Sequence, residues 1–164
     1  MFFTATSAEA LIVRRALGDG PQIFVLNGPQ DDDLAAYSEA RLAPILNSMA
    51  QIKLWNARAA AGLHIDTGMN RLGVGPEELP EAASALKHAS LALVMSHLAC
   101  ASDVKHAMNA RQVARFIDAA RLFPAAPRSL AATSGALIGA DYHFDMIRPG
   151  VGLYGSGALD ADNP

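Results

Sequence analysis

One cysteine, Cys100, stands in the whole chain, so no disulfide can form within it, and a reducing compartment is the expected setting. Long apolar runs are missing too; stretches such as residues 91–95 are far too short to cross a bilayer. The N-terminus has no basic segment followed by an apolar one, so it does not read as a signal peptide. Excess charge is also lacking. The 13 Lys+Arg and 16 Asp+Glu leave a net charge of −3 with the signs mixed, which gives no nucleic-acid-binding surface. Charged residues make up 18% and hydrophobic ones 51%, a balance that excludes wholesale disorder. No repeat, low-complexity tract or internal boundary interrupts the 164 residues, which suit one domain with a sizeable core. The expectation is a soluble cytoplasmic protein with neither a nucleic acid nor a membrane as partner.

What is present is an alternation of short apolar β-type runs with helical patterns, the mark of an α/β fold with a mainly parallel sheet. Strands are expected at residues 2–5, 23–26, 42–46, 62–66, 91–96, 129–132 and 145–147. Helices are expected at 7–17, with Ser7 as its cap and Gly18 past its end, and at 31–39, 48–60, 76–88, 109–122 and 135–138. The pattern predicts an incomplete TIM-type (β/α) barrel of about seven parallel strands, with an open doubly wound sheet as the competing arrangement. Residues 1–155 would form this domain, and 156–164, small and polar, a linker or truncated end.

Catalytic groups of such barrels gather at the C-terminal ends of the strands. His64, Asp66 and Arg71 fall at or after the fourth strand, His97 after the fifth, Thr133 and Ser134 after the sixth, and Arg148 and Gly150 after the seventh. Two arginines and two histidines without a metal-type cluster suit a small anionic molecule, and no metal site is expected. If one strand precedes residue 1, Ser134 and Gly150-Val151 occupy the loops where barrels commonly hold phosphate. From spacing alone, a helix cap at residues 133–135 and a turn at 148–150 are the commoner meaning of such short motifs. Asp66 and Thr67 are expected to shape their loop, and Cys100 to be a small buried residue. His88, His106 and His143 are expected at the surface.

The run His64-Ile65-Asp66-Thr67-Gly68-Met69-Asn70-Arg71-Leu72-Gly73 adds a family resemblance. It is followed in order by Ser96-His97-Leu98-Ala99 and by Ile147-Arg148-Pro149-Gly150-Val151-Gly152-Leu153-Tyr154-Gly155. Together these resemble signature segments of the alanine racemases, and the likeness extends over nearly the whole chain. It implies a cytoplasmic enzyme that interconverts L- and D-alanine with pyridoxal 5′-phosphate (PLP) and supplies D-alanine for the bacterial cell wall. Carried over by residue, the resemblance implies that Arg148 meets the pyridine nitrogen, with His97 as the partner behind it. Arg71 would approach the cofactor's phenolic oxygen or the substrate carboxylate. Ser134 and the amides of Gly150 and Val151 would hold the phosphate.

The sequence departs from the family at several places. Thr133 stands where many members have Asn, and His64 where some carry a modified lysine beside the arginine. The link between Trp55-Asn56-Ala57-Arg58 and His64 is short, as if by a deletion. The family's Schiff-base lysine would lie before residue 1, and its tyrosine base beyond Pro164, in a C-terminal β-domain that works across a homodimer. Lys53, Lys87 and Lys105 are the only lysines, and none lies in a matching motif. The resemblance therefore implies a central barrel fragment that is inactive alone, binds PLP weakly and without a covalent link, and associates through exposed edges. A non-catalytic PLP- or phosphate-binding module and a degenerate remnant are the alternatives. Basic-amino-acid decarboxylase barrels fit the motif less well.

Overall fold

The structure is a computed structural model that describes residues 1–155; the expected tail segment at 156–164 lies outside the described residues. Its elements alternate as the hydrophobic pattern requires. They are β1 (Phe2–Thr4), α1 (Ser7–Leu17), β2 (Ile23–Val25), α2 (Leu34–Glu39), β3 (Ala43–Leu46), α3 (Met49–Trp55), β4 (Ala61–His64), α4 (Leu79–Ala85), β5 (Leu91–Met95), α5 (Ala107–Ala120), β6 (Arg128–Ser129) and α6 (Thr133–Ile138). The strands form one sheet in sequence order, every pair parallel. Strand ends therefore lie side by side in sequence order, which is what brings residues far apart in the chain to one site.

Alternation along the strands sorts side chains between two cores. Ile23, Val25, Leu46, Leu63 and Val94 pack outward beneath the helices, together with Trp55, Phe116 and Leu130. Phe24, Ala43, Ile45, Leu93 and Met95 point to the inner side, with Phe3, Leu26 and Met146 half-buried against them. Gly62 belongs to that inner layer by necessity, since a Cβ there would stand 2.3 Å from Ile45 Cδ1. An inner and an outer core on one sheet define an incomplete (β/α) barrel.

Helix ends follow local chemistry. Thr6, not Ser7, caps α1: its backbone is extended, its hydroxyl accepts from Glu9 N at 3.3 Å, and the Glu9 carboxylate accepts from Ala5 N at 2.9 Å. Ser48 caps α3 as expected, its hydroxyl accepting from Gln51 N at 3.2 Å. That helix stops at Trp55 rather than near residue 60, because Asn56 and Ala57 turn left-handed at φ 47° and 52°. Trp55 Nε1 donates to Ala59 O at 3.0 Å and closes the short link to β4.

The expected seventh strand does not form. Residues 145–147 run beside β6 and keep one backbone bond to it, Asp145 N donating to Arg128 O at 3.1 Å, but side chains take most of the rest of the ladder. Asp145 accepts from Arg128 N at 2.8 Å and from Arg128 Nε at 3.2 Å, and Ser129 Oγ donates to Met146 O at 2.7 Å. Farther along, the pairing is reduced to an isolated parallel bridge between Ala132 and Arg148, with Arg148 N donating to Ala131 O at 2.9 Å. The described strands thus number six.

Candidate functional site

The loop after β4 is built around one carboxylate. Asp66 Oδ1 accepts from the amides of Gly68 and Met69 at 2.9 Å and Asn70 at 3.2 Å, and Oδ2 takes Asn70 N at 3.1 Å. The loop returns through Val74, whose amide donates to His64 O at 2.8 Å, while Asp66 N donates to Val74 O at 3.0 Å. Gly73 permits this return. Its φ is +115°, and a Cβ there would lie 2.7 Å from Asp66 N. Arg71 sits exposed on this loop, and its side chain has no hydrogen-bond partner among the described residues.

Arg148 crosses the ends of β5 and β6. One terminal nitrogen donates to Ser129 Oγ, and the other to Ser96 O at 2.7 Å and Leu130 O at 3.3 Å. Nε makes no hydrogen bond among the described residues, so a donor remains on the guanidinium. Burial lowers its pKa to about 10, which still leaves it cationic at neutral pH.

Two histidines stand beside it. Asn47 Nδ2 donates to Leu26 O at 2.8 Å and Ile45 O at 2.9 Å, which turns Oδ1 toward His64 Nδ1 at 3.0 Å. Neutral His64 therefore carries its proton on Nδ1. Burial, then the nearby Arg148 charge and His97, hold His64 down at about 4. His97 is lowered to about 4 by burial, then by Arg148 and Arg71. At neutral pH the site is positive through its arginines alone.

The structure brings Arg71, His97 and Arg148 together with His64 around a cavity of about 160 Å³, which Phe3, Leu26 and Met95 complete on the apolar side. A second cavity of about 380 Å³ is lined by His97, Thr133, Ser134 and Val151 among others. His97 and Ala132 border both. Gly150 lines neither. Its amide donates to Thr133 Oγ1 at 2.9 Å, and the Gly152 amide reaches the same oxygen at 3.3 Å. His97 and Arg148 share a cavity but no direct hydrogen bond among the described residues.

Elsewhere, some sequence expectations shift. Asp66 shapes its loop as expected. Cys100 is half-buried rather than buried. His143 is half-buried, with Nε2 2.8 Å from Ala136 O, and His106 Nδ1 caps α5 by accepting from Met108 N at 3.2 Å. Lys53 pairs with Glu81 at 3.0 Å on the helical surface, and no lysine lines either strand-end cavity. Three polar residues at the strand ends carry no signal in the sequence: Asn47, Gln112 and Ser129. Each is an isolated polar residue near an apolar strand or on a helix, and only its place at a strand end or above one could have marked it. Among the described residues there is no metal-binding cluster, and no helix is long and apolar enough to cross a membrane.

A parallel βα barrel half, with arginines, neutral histidines and a hydroxyl converging where its strands end, defines an α/β-barrel domain whose polar groups gather at one end of the sheet. The chain belongs to the alanine racemase N-terminal domain family, whose profile matches residues 1–157. It is 45% identical to the alanine racemase of Dinoroseobacter shibae over 99% of this chain and 47% of that protein. It is 44% identical to the alanine racemase of Cereibacter sphaeroides strain ATH 2.4.9, over 99% of this chain and 47% of that one. Among solved structures, it matches alanine racemase from Bartonella henselae with covalently bound pyridoxal phosphate at a TM-score of 0.91 and 29% identity, covering 99% of this chain and 50% of that one. The biosynthetic alanine racemase from Pseudomonas aeruginosa matches at a TM-score of 0.88 and 30% identity, covering 99% of this chain and 47% of that one. The chain spans about half the length of the curated relatives it matches.

Proposed function

We propose that residues 1–155 are the cofactor-holding part of a PLP-dependent alanine racemase, a cytoplasmic homodimer when whole, which interconverts L- and D-alanine and supplies D-alanine for the bacterial cell wall. The observation that carries this reading is the pair of adjoining cavities sharing His97, with a half-buried cationic guanidinium in one and Ser134 in the other. That arrangement fits a flat ring with a basic nitrogen at one end and a phosphate at the other. The Bartonella relative, which carries pyridoxal phosphate, agrees with it.

When bound, the cofactor supplies an electron sink that makes an amino acid's α-proton acidic. Arg148 would direct a remaining guanidinium donor at the ring nitrogen. Because it stays cationic near neutrality, it would keep that nitrogen unprotonated and so moderate the sink. His97, neutral and shared by both cavities, would fix the ring's edge next to Arg148. Ser134 and Val151 would hold the phosphate, and the Gly150 amide would join them only on leaving Thr133 Oγ1. Arg71, exposed on its loop and cationic, would receive the substrate carboxylate or the cofactor's phenolic oxygen. The lysine for a covalent link and the opposing tyrosine base would come from outside these 164 residues, since none of the three lysines reaches the site.

The test has two halves. The 164-residue chain should show no racemisation of L-alanine by polarimetry or by a coupled D-alanine assay. The same chain joined to a lysine-bearing first strand and a tyrosine-bearing C-terminal domain should racemise L-alanine. Turnover by the 164 residues alone would refute the assignment of both bases elsewhere. Failure of the joined protein to bind PLP would leave a degenerate remnant as the better reading.

A further inference from the structure

Gln112 lies on α5, a helix of the outer layer, yet it is fully buried and its side chain does not serve its own helix. Its Nε2 donates to Thr67 Oγ1 at 3.1 Å and to His97 O at 2.9 Å, and its Oε1 accepts from Ala99 N at 2.8 Å. Thr67 Oγ1 lies 2.8 Å from Ser96 Oγ, and the carbonyl of the same Ser96 receives Arg148. One amide group thus ties the exit of β4 to the exit of β5, and both to the guanidinium across the strand ends. Arg115 reinforces the arrangement from the next turn of α5, donating to Thr67 O at 3.0 Å.

The geometry points to Gln112 as a positioning residue that holds residues 66–67 and 96–99 in register, so that His97 and Arg148 face the cofactor. The inference rests on the cofactor reading proposed above. Its physical basis is separate. A buried amide is tolerated only when its donors and acceptor are satisfied, and here all its partners are strand-end groups rather than core atoms. Removing the amide leaves Thr67 Oγ1, His97 O and Ala99 N without that partner and frees the segment that borders both cavities. Gln112 lines neither cavity, so its effect must pass through His97 and Arg148.

The test compares Gln112→Met, which keeps the volume, with Leu86→Ala, which weakens the outer core at the opposite end of the strands. One readout is the NMR titration of the His97 ring, which is surrounded by Arg148, Arg71 and His64. The other is PLP affinity by absorbance. In the wild-type chain His97 should stay deprotonated from pH 8 down to 5. In Gln112→Met it should titrate between pH 5 and 7, and PLP should bind at least tenfold more weakly, whereas Leu86→Ala should lower Tm and change neither. If Gln112→Met behaves like Leu86→Ala in both readouts, the positioning role is overturned. If the wild-type chain binds no PLP, the cofactor reading fails, and the His97 titration alone decides the role of Gln112. If Gln112→Met does not fold, Thr67→Val tests the same link: a smaller shift of the His97 titration in the same direction supports it, and no shift overturns it.

Discussion

His64 and His97 sit within a few side chains of two arginines, and neither can readily take up a proton. Both are lowered from an ordinary value of 6.5 to about 4. Between those two values the unfolded chain binds protons that the folded chain refuses, so stability rises with pH across the window and falls as the solution is acidified. The slope approaches about 1.4 kcal/mol per pH unit for each histidine. Urea denaturation should therefore give a clearly lower midpoint at pH 5.0 than at pH 7.5, and His97→Asn should reduce the difference by roughly half. An equal or higher midpoint at pH 5.0 would contradict the burial of these rings beside Arg148. Asp66, Arg71 and Arg148 stand out in the sequence because a dense motif surrounds each, and the structure brings Arg71 and Arg148 to one cavity. Gln112 and Asn47 were not, because a single amide on a helix or beside a strand has no periodicity to announce it.

Elements were legible wherever local chemistry and tertiary contacts agree. The helix at Ser7–Leu17 has an apolar repeat, a capping hydroxyl and Gly18 beyond it, and it forms over the residues expected. Residues 145–147 look like a strand by composition, yet the Asp145 carboxylate finds Arg128 and Met146 O finds Ser129 Oγ, so side-chain bonds replace most of the ladder. No reading of apolar alternation weighs such pairings. The loop at 66–73 was legible as a turn, but the reason for its last glycine is geometric. Gly73→Ala would place a Cβ 2.7 Å from Asp66 N at a φ of +115°. It should destabilise the chain by about 1–3 kcal/mol. Gly20, with no left-handed φ and nothing within 4 Å of a Cβ, should accept Ala within about 0.5 kcal/mol. Chemical denaturation of the two variants checks both. Equal losses would mean that the loop does not close on Asp66 as described.

At the scale of the molecule, the sheet has two edges among the described residues: β1 pairs only with β2, and β6 pairs only with β5, beyond which stand one backbone bond from Asp145 N to Arg128 O and the bridge between Ala132 and Arg148. The inner core is correspondingly open. Phe3, Leu26 and Met146 are only half-buried against it, and on the other side of the edge strand Phe2 is 45% exposed. Unpaired parallel edges beside exposed apolar side chains favour association. The 164-residue chain should bind a hydrophobic dye and elute as dimers or larger species in size-exclusion chromatography. A dye-silent monomer would show that the inner face is better covered than this arrangement allows.

The adjoining cavities joined at His97 are the centre of the account, and PLP binding to the 164-residue chain tests them most directly. Titrating the chain with PLP, followed by absorbance with and without borohydride, should show reversible binding that reduction does not trap at a defined lysine. Arg148→Ala should weaken that binding by about 1.5–3 kcal/mol through loss of a charge-assisted hydrogen bond. Binding that is indifferent to Arg148, or a reduced adduct at Lys53, Lys87 or Lys105, would contradict it.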